Sequence, residues 1–106
     1  MKKLQKQVDE WMSQLKIGYW KPFEMLARLM EEVGELAREV NHRFGPKKKK
    51  SSEKNKEIGD EMADIIFTLI CLANSLNIDL DTHFKKMMKK LNTRDKDRWK
   101  KSKSSE

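Results

Sequence analysis

Two groups of carboxylates, one around residue 32 and one around residue 61, have the residue types and spacing to hold a hard cation. Asp64 is the sharper anomaly. It is the only charged residue in the run Met62-Ala63-Asp64-Ile65-Ile66-Phe67-Thr68-Leu69-Ile70-Cys71-Leu72-Ala73. A carboxylate buried in such a run is costly unless a cation or hydrogen-bond donors compensate it. Glu61 precedes Asp64 by three residues, and Glu57, Asp60 and Thr68 share or border the same helical stripe at about 100° per residue. Like charges at i,i+4, as in Glu57 and Glu61, destabilise a helix, and a cation among them relieves the repulsion. Earlier in the chain Glu31, Glu32 and Glu35 project from one side of another helix. By itself that set reads as the solvated edge of an amphipathic helix, with Arg28 and Arg38 as i,i+3 partners and Glu39 continuing the strip. Set antiparallel to a second acidic helix, it supplies about four converging oxygen donors, which suit Mg²⁺ or Mn²⁺.

Other metal chemistries fit less well. A di-iron carboxylate bundle needs two Glu-x-x-His motifs. The chain has Glu39-Val40-Asn41-His42, whereas His83 follows Leu80 at that spacing, so both histidines read as ordinary helix-end residues. One cysteine and two separated histidines do not make a usual zinc set, and no Ser/His/Asp nucleophile arrangement is visible. Mg²⁺ held by carboxylates commonly accompanies substrate phosphates, with a spare carboxylate able to take a proton from water. Lys85, Lys89, Arg94 and Arg98 are candidates to hold distal phosphates. Trp20 and Tyr19, beside Lys21, offer flat faces to a base, although packing within a connector accounts for them equally well.

These groups must be positioned by helices. Leu4, Val8, Trp11, Met12 and Leu15 recur at helical spacing and predict a first helix that stops near Gly18. Tyr19-Trp20-Lys21-Pro22 is a connector, with Pro22 suited to the first turn of the second helix. Phe23, Leu26, Met30, Val33, Ala37 and Val40 line one face of that helix, which Gly45-Pro46 ends. Residues 47–56 form a polar Lys/Ser-rich loop with no apolar residue. A third helix is expected from about Asn55 to Leu76, a turn at Asn77-Ile78-Asp79, and a short fourth helix around Phe84, Met87, Met88 and Leu91. There is no strand alternation, internal repeat or Gly-rich phosphate loop. Between Met62 and Ala73 the third helix is apolar almost all round, so it needs cover on every side. Three short helices do not provide that, and the expectation is a helical oligomer, most simply a dimer in which third helices pack together.

At 106 residues the chain is read as one small domain, over 1–99, with a disordered basic tail at 100–106. The net charge of +7 is unevenly placed: residues 1–84 carry 14 basic and 14 acidic groups, whereas residues 85–106 carry 10 and 3. A basic C-terminal segment can bind a nucleic-acid backbone, attract a small polyanion or simply keep the protein in solution. The lone Cys71 sits in the apolar run and is expected to be a buried reduced thiol. The N-terminus shows no signal-peptide pattern, and the apolar run from Ile65 to Ala73 is too short to span a bilayer. A cytoplasmic protein with no membrane partner is expected.

Glu31-Glu32-Val33-Gly34-Glu35-Leu36-Ala37, followed after a basic loop by Glu61-Met62-Ala63-Asp64-Ile65, resembles the E-E-x-x-E... E-x-x-D signature of the MazG-like all-α nucleotide pyrophosphohydrolases, and among them the short single-domain YpjD-type members. The resemblance extends from Gly18-Tyr19-Trp20 through Met25-Leu26-Ala27-Arg28-Leu29 and Leu72-Ala73-Asn74-Ser75-Leu76 to the segment Lys90–Trp99. It implies an all-α, four-helix, bundle-type fold completed by oligomerisation as a dimer or tetramer. The implied activity is hydrolysis of a (d)NTP between the α and β phosphates to NMP and pyrophosphate, in nucleotide-pool housecleaning. It implies Mg²⁺, with Mn²⁺ as a substitute, bound by Glu32, Glu35, Glu61 and Asp64, and assistance from Glu31 toward water or a second metal. It also places Asn74, Lys89 and Arg94 where relatives contact nucleotide or phosphate. The tetra-lysine run Lys47 to Lys50 departs from the pattern and could line a substrate entrance in the oligomer. The alternative is a non-catalytic helical interaction protein, or a nucleotide sensor, whose basic tail binds nucleic acid.

Overall fold

The computed structural model describes residues 1–45 and 57–95. The Lys47 to Lys50 run, the expected third-helix start at Asn55, Arg98, Trp99 and the tail 100–106 lie outside the described residues. Four α-helices, α1 (Lys2–Met12), α2 (Pro22–Phe44), α3 (Ile58–Ser75) and α4 (Leu80–Lys90), are followed by a π-helical turn (Leu91–Asp95), with no strand among the described residues. The all-α expectation holds. The chain divides into two compact units, Lys3–Ile78 and Met1–Lys2 with Asp79–Glu106.

In the first unit α2 and α3 form the main packed pair. Pro22 opens α2 at a position where its missing N–H costs nothing. The stripe of α2 that is covered runs Met25, Leu29, Glu32, Leu36, Glu39 and His42, at three- and four-residue steps, with Met25 and Glu32 buried. This corrects the reading of the helix. Phe23, Leu26, Met30, Val33 and Val40, expected to be the packed face, are exposed. The physical reason is that α2 carries two apolar stripes, and α3 covers only the one that contains Glu32. The glutamate thus lies in the middle of a packed face and not on a solvated edge.

On α3 the buried side chains are Glu61, Thr68, Ile70, Cys71 and Ala73, while Met62, Ile66, Phe67 and Leu69 stay exposed. Asp60 and Glu61 sit in the first turn, where the helix N-terminus favours negative charge. The helix closes on Asn77, whose φ of 56° is left-handed. The Ile78 N–H reaches the Ala73 carbonyl at 2.8 Å and the Asn77 N–H reaches that of Asn74 at 3.1 Å, which together form a Schellman closure.

The helix limits differ from expectation at three places. Helix α3 begins at Ile58, because Glu57, expected inside it, is extended and forms its N-cap. Helix α1 stops at Met12 instead of near Gly18, and residues 13–15 continue as turns, with Gln14 and Leu15 N–H groups bonding three residues back. In the second unit α4 begins at Leu80, a turn before Phe84. Asp79 caps it by accepting from the Asp81 N–H at 3.1 Å and the Thr82 hydroxyl at 2.9 Å. Asp81 in turn accepts from the Lys2 N–H at 3.0 Å and pairs with the N-terminal ammonium at 3.3 Å. No single helix among the described residues is long and apolar enough to cross a membrane.

Candidate metal centre

The packed stripes of α2 and α3 bring Glu32, Glu61 and Asp64 together. Glu32 and Glu61 are each only 2% exposed and Asp64 is half-buried. One carboxylate oxygen from each lies within 4.8 Å of the others. Oxygens that share one Mg²⁺ lie closer together than this, so the three carboxylates would have to draw in to hold the ion. An oxygen-only set of carboxylates is the kind of donor set that Mg²⁺ and Mn²⁺ prefer.

The electrostatics of Glu32 support the same reading. Arg28, one turn earlier, places Nη2 at 2.6 Å from its Oε1 and Nη1 at 3.4 Å from Glu31. Burial nevertheless pushes the Glu32 carboxyl above the usual carboxylate range, against the lowering pull of Arg28. The charges of Glu35 and Asp64 and the adjoining Glu61 carboxyl add to the rise. Its buried Oε2 meets no hydrogen-bond donor among the described residues. A buried carboxylate oxygen without a donor, facing two further carboxylates, is the environment a divalent cation corrects.

The remaining acidic candidates surround this core. Glu31 and Glu35 are exposed. Glu35 stands outside the three-carboxylate group, one turn from Glu32 and close enough to raise its pKa. Glu57 caps α3 with its backbone, and Asp60 is exposed. The buried Thr68 donates its hydroxyl to the Asp64 carbonyl at 3.0 Å, which satisfies the hydroxyl without using a carboxylate oxygen. His42 lies in the last turn of α2 and His83 is exposed on α4, outside the acidic group. Cys71 is a free, buried thiol whose pKa burial raises.

Of the expected substrate contacts, Trp20 is half-exposed and Lys21 is the exposed residue that leads into α2. Lys89 and Arg94 are exposed on α4 and on the π-helical turn. Asn74 is engaged within the protein, with Gln5 and Tyr19 as partners. Sequence reasoning missed two groups. Arg28 was paired with Glu31 by spacing, whereas its shorter contact is to Glu32, and its i,i+4 relation to Glu32 was the available signal. Trp11 and Phe67 meet edge to face, ring centres 6.1 Å apart, a pairing between distant segments that periodicity does not reveal.

Comparison with known proteins extends these observations. Residues 21–99 match the family model of the MazG nucleotide pyrophosphohydrolase domain. The Bacillus subtilis (strain 168) protein YpjD is 54% identical over 99 residues, covering 93% of this chain and 89% of its own length. YvdC of the same organism is 35% identical over 96 residues, covering 81% and 91%. The crystal structure of B. subtilis YpjD, described as a candidate pyrophosphatase, superposes with a TM-score of 0.78 at 51% identity, covering 87% of this chain and 94% of that one. A Bacillus-conserved MazG protein, a nucleotide pyrophosphohydrolase, superposes at 0.75 with 51% identity, covering 91% and 93%. The acidic helix pair lies inside the matched region, and the chain belongs to the MazG nucleotide pyrophosphohydrolase family of enzymes.

Proposed function

We propose that the protein hydrolyses nucleoside triphosphates at the bond between the α and β phosphates, giving the monophosphate and pyrophosphate. The observation that carries this reading is the convergence of two almost wholly buried carboxylates with Asp64, in a chain of a pyrophosphohydrolase family. Glu32, Glu61 and Asp64 would hold Mg²⁺, with Mn²⁺ as a substitute, and Glu35, one turn from Glu32, would be the fourth ligand. When bound, the cation neutralises phosphate oxygens and acidifies a coordinated water. Glu31 and Glu35 are exposed beside this group, and whichever carboxylate is not used as a ligand would accept the proton that water loses as its oxygen bonds to the α-phosphorus. The bridging oxygen departs with pyrophosphate.

Trp20 and Lys21 are assigned to the nucleotide, the indole as a stacking face and the ammonium as a point charge. Lys89 and Arg94 are assigned to phosphate on their charge. The exposed apolar stripes of α2 and α3 support assembly with a second copy, as a dimer or a pair of dimers. Clearance of surplus or damaged (d)NTPs from the cytoplasmic pool is the role such an activity serves.

Incubating the protein with a panel of (d)NTPs and Mg²⁺, then separating the products, tests the reaction. Monophosphate and pyrophosphate in equal amounts are expected. Orthophosphate as the first product means that a different bond is cut and rejects the assignment. Asp64→Asn and Glu35→Gln should each abolish turnover while the helical circular dichroism remains; turnover equal to wild type in both removes these residues from the mechanism.

A further inference from the structure

The end of α3 remote from the acidic group is tied to α1 and to the connector before α2 by a closed set of side-chain hydrogen bonds. Asn74 Nδ2 donates to the Gln5 carbonyl and to the Tyr19 hydroxyl oxygen, each at 3.0 Å. Asn74 Oδ1 accepts from Gln5 Nε2 at 2.9 Å, and the same Nε2 donates to the Ile78 carbonyl at 2.8 Å. The Tyr19 hydroxyl sends its proton to Asp9 Oδ1 at 2.6 Å, which leaves its lone pairs for Asn74. A primary amide has two N–H donors and one carbonyl oxygen. Both Asn74 donors are therefore spent inside the protein, together with one lone pair of its oxygen. Only a residue that donates twice and accepts once on a short stem completes this set.

We propose that Asn74 is a positioning residue, which fixes the connector carrying Trp20 and Lys21 to α3 and acts on nucleotide binding through that connector without touching the nucleotide. The proposal rests on the nucleotide reading above. Three features support it. Tyr19 is adjacent to Trp20, so the hydrogen bond that holds the phenol also holds the backbone from which the indole projects. The connector contains Gly18 at φ +70°, a conformation that side chains rarely adopt, so this segment needs tertiary anchors to keep one shape. Asn74 is ten residues beyond Asp64 on one helix, or about 15 Å along its axis. The carboxylates that would bind the cation are thus insulated from changes at Asn74.

The test uses the full chain and the variants Asn74→Ala, Tyr19→Phe and the double variant, with a (d)NTP and Mg²⁺. Each single change should raise KM several-fold, up to about tenfold, the scale of one lost part-buried hydrogen bond, with kcat within about twofold of wild type. The bond between Asn74 and Tyr19 is lost only once in the double variant, so its KM should rise by less than the product of the two single effects. An Asn74 that contacts nucleotide directly gives a raised KM in Asn74→Ala, no change in Tyr19→Phe, and effects that multiply. That result overturns the proposal, as does a kcat collapse at unchanged KM.

A second readout is independent of turnover. Tyr19 is the only tyrosine of the chain, so tyrosinate absorbance after a rapid pH jump reports on it alone. Burial and the bond to Asp9 hold its pKa up at about 12, with Cys71 adding to the rise and Asn74 opposing it. Released from α3 in Asn74→Ala, the phenol loses burial, the largest cause of the rise, and its pKa should fall below that of the wild type even though the Asp9 bond remains. A value at or above that of wild type shows that Asn74 does not hold the connector and overturns the proposal. Where Asn74→Ala does not fold, the KM of Tyr19→Phe still decides, and a value equal to that of wild type overturns the proposal. Absence of pyrophosphate release by the wild type would reject the nucleotide reading alone, and the tyrosine titration would still decide whether Asn74 braces the connector.

Discussion

Burying Glu32 to 2% exposure costs free energy that Arg28 offsets only in part, since the carboxyl is still pushed above the usual range. A neutral isostere removes that cost. Glu32→Gln should therefore raise the stability of the metal-free protein, by about 1 kcal/mol at neutral pH, and abolish turnover together with stabilisation by Mn²⁺. Thermal melts with and without Mn²⁺ measure both effects, and a metal-free variant less stable than wild type contradicts the assignment of Glu32 as a strained ligand. Arg28→Met should act in the opposite direction. Loss of the 2.6 Å partner leaves Glu32 buried beside two carboxylates, so the metal-free protein should lose roughly 1–3 kcal/mol, and saturating Mn²⁺ should restore part of it. Equal losses with and without Mn²⁺ would show that Arg28 stabilises the fold by some route other than Glu32. At this scale the site was legible where a charge contradicts its surroundings. Asp64 and Glu61 stood out because their helix is apolar, whereas Glu32 read as an edge residue because its own stripe contains only Met25, Leu29 and Leu36 as apolar members.

The elements were legible through period and less so through their ends. Residues 13–15 continue the apolar spacing of α1 as turns, and periodicity does not separate a turn from a last helical round. Asp79 was read as part of a turn, and its second role as cap to α4 depends on a donor and a hydroxyl that only the folded geometry brings to it. The Thr82 hydroxyl, followed by the Asp81 N–H, lowers the Asp79 pKa below its ordinary value of 3.8. A depressed carboxylate contributes stability above its unfolded pKa and loses it as the pH falls through the folded value. Asp79→Ala should therefore lower the melting temperature more at pH 7 than in acid, where protonation removes the same contribution from the wild type. Asp79→Asn should keep most of the cap without this acid sensitivity. A deficit in Asp79→Ala that is the same at both pH values would assign the cap to shape alone.

At the scale of the whole molecule, large apolar side chains stand exposed in rows among the described residues. Phe23 is 82% exposed and Met30 66%, on an α2 stripe that Leu26, Val33 and Val40 continue, and Met62, Ile66 and Leu69 form a corresponding stripe on α3. The α3 stripe was foreseen from the all-round apolar sequence of that helix, but the α2 stripe was mistaken for the packed face of the protomer. Both faces of α2 are apolar, and periodicity does not say which of two apolar stripes a single chain will cover. Covering a large apolar side chain contributes roughly 1.5–3 kcal/mol, and several such residues meeting across a two-fold axis are counted twice, once from each copy. The protein should therefore sediment as a dimer or larger at micromolar concentration. Met30→Glu should shift it toward the 12.6 kDa monomer and lower its melting temperature, because a carboxylate on that face is either buried at high cost or keeps the copies apart. Wild type that sediments as a monomer at every concentration would show that these stripes are tolerated in solvent.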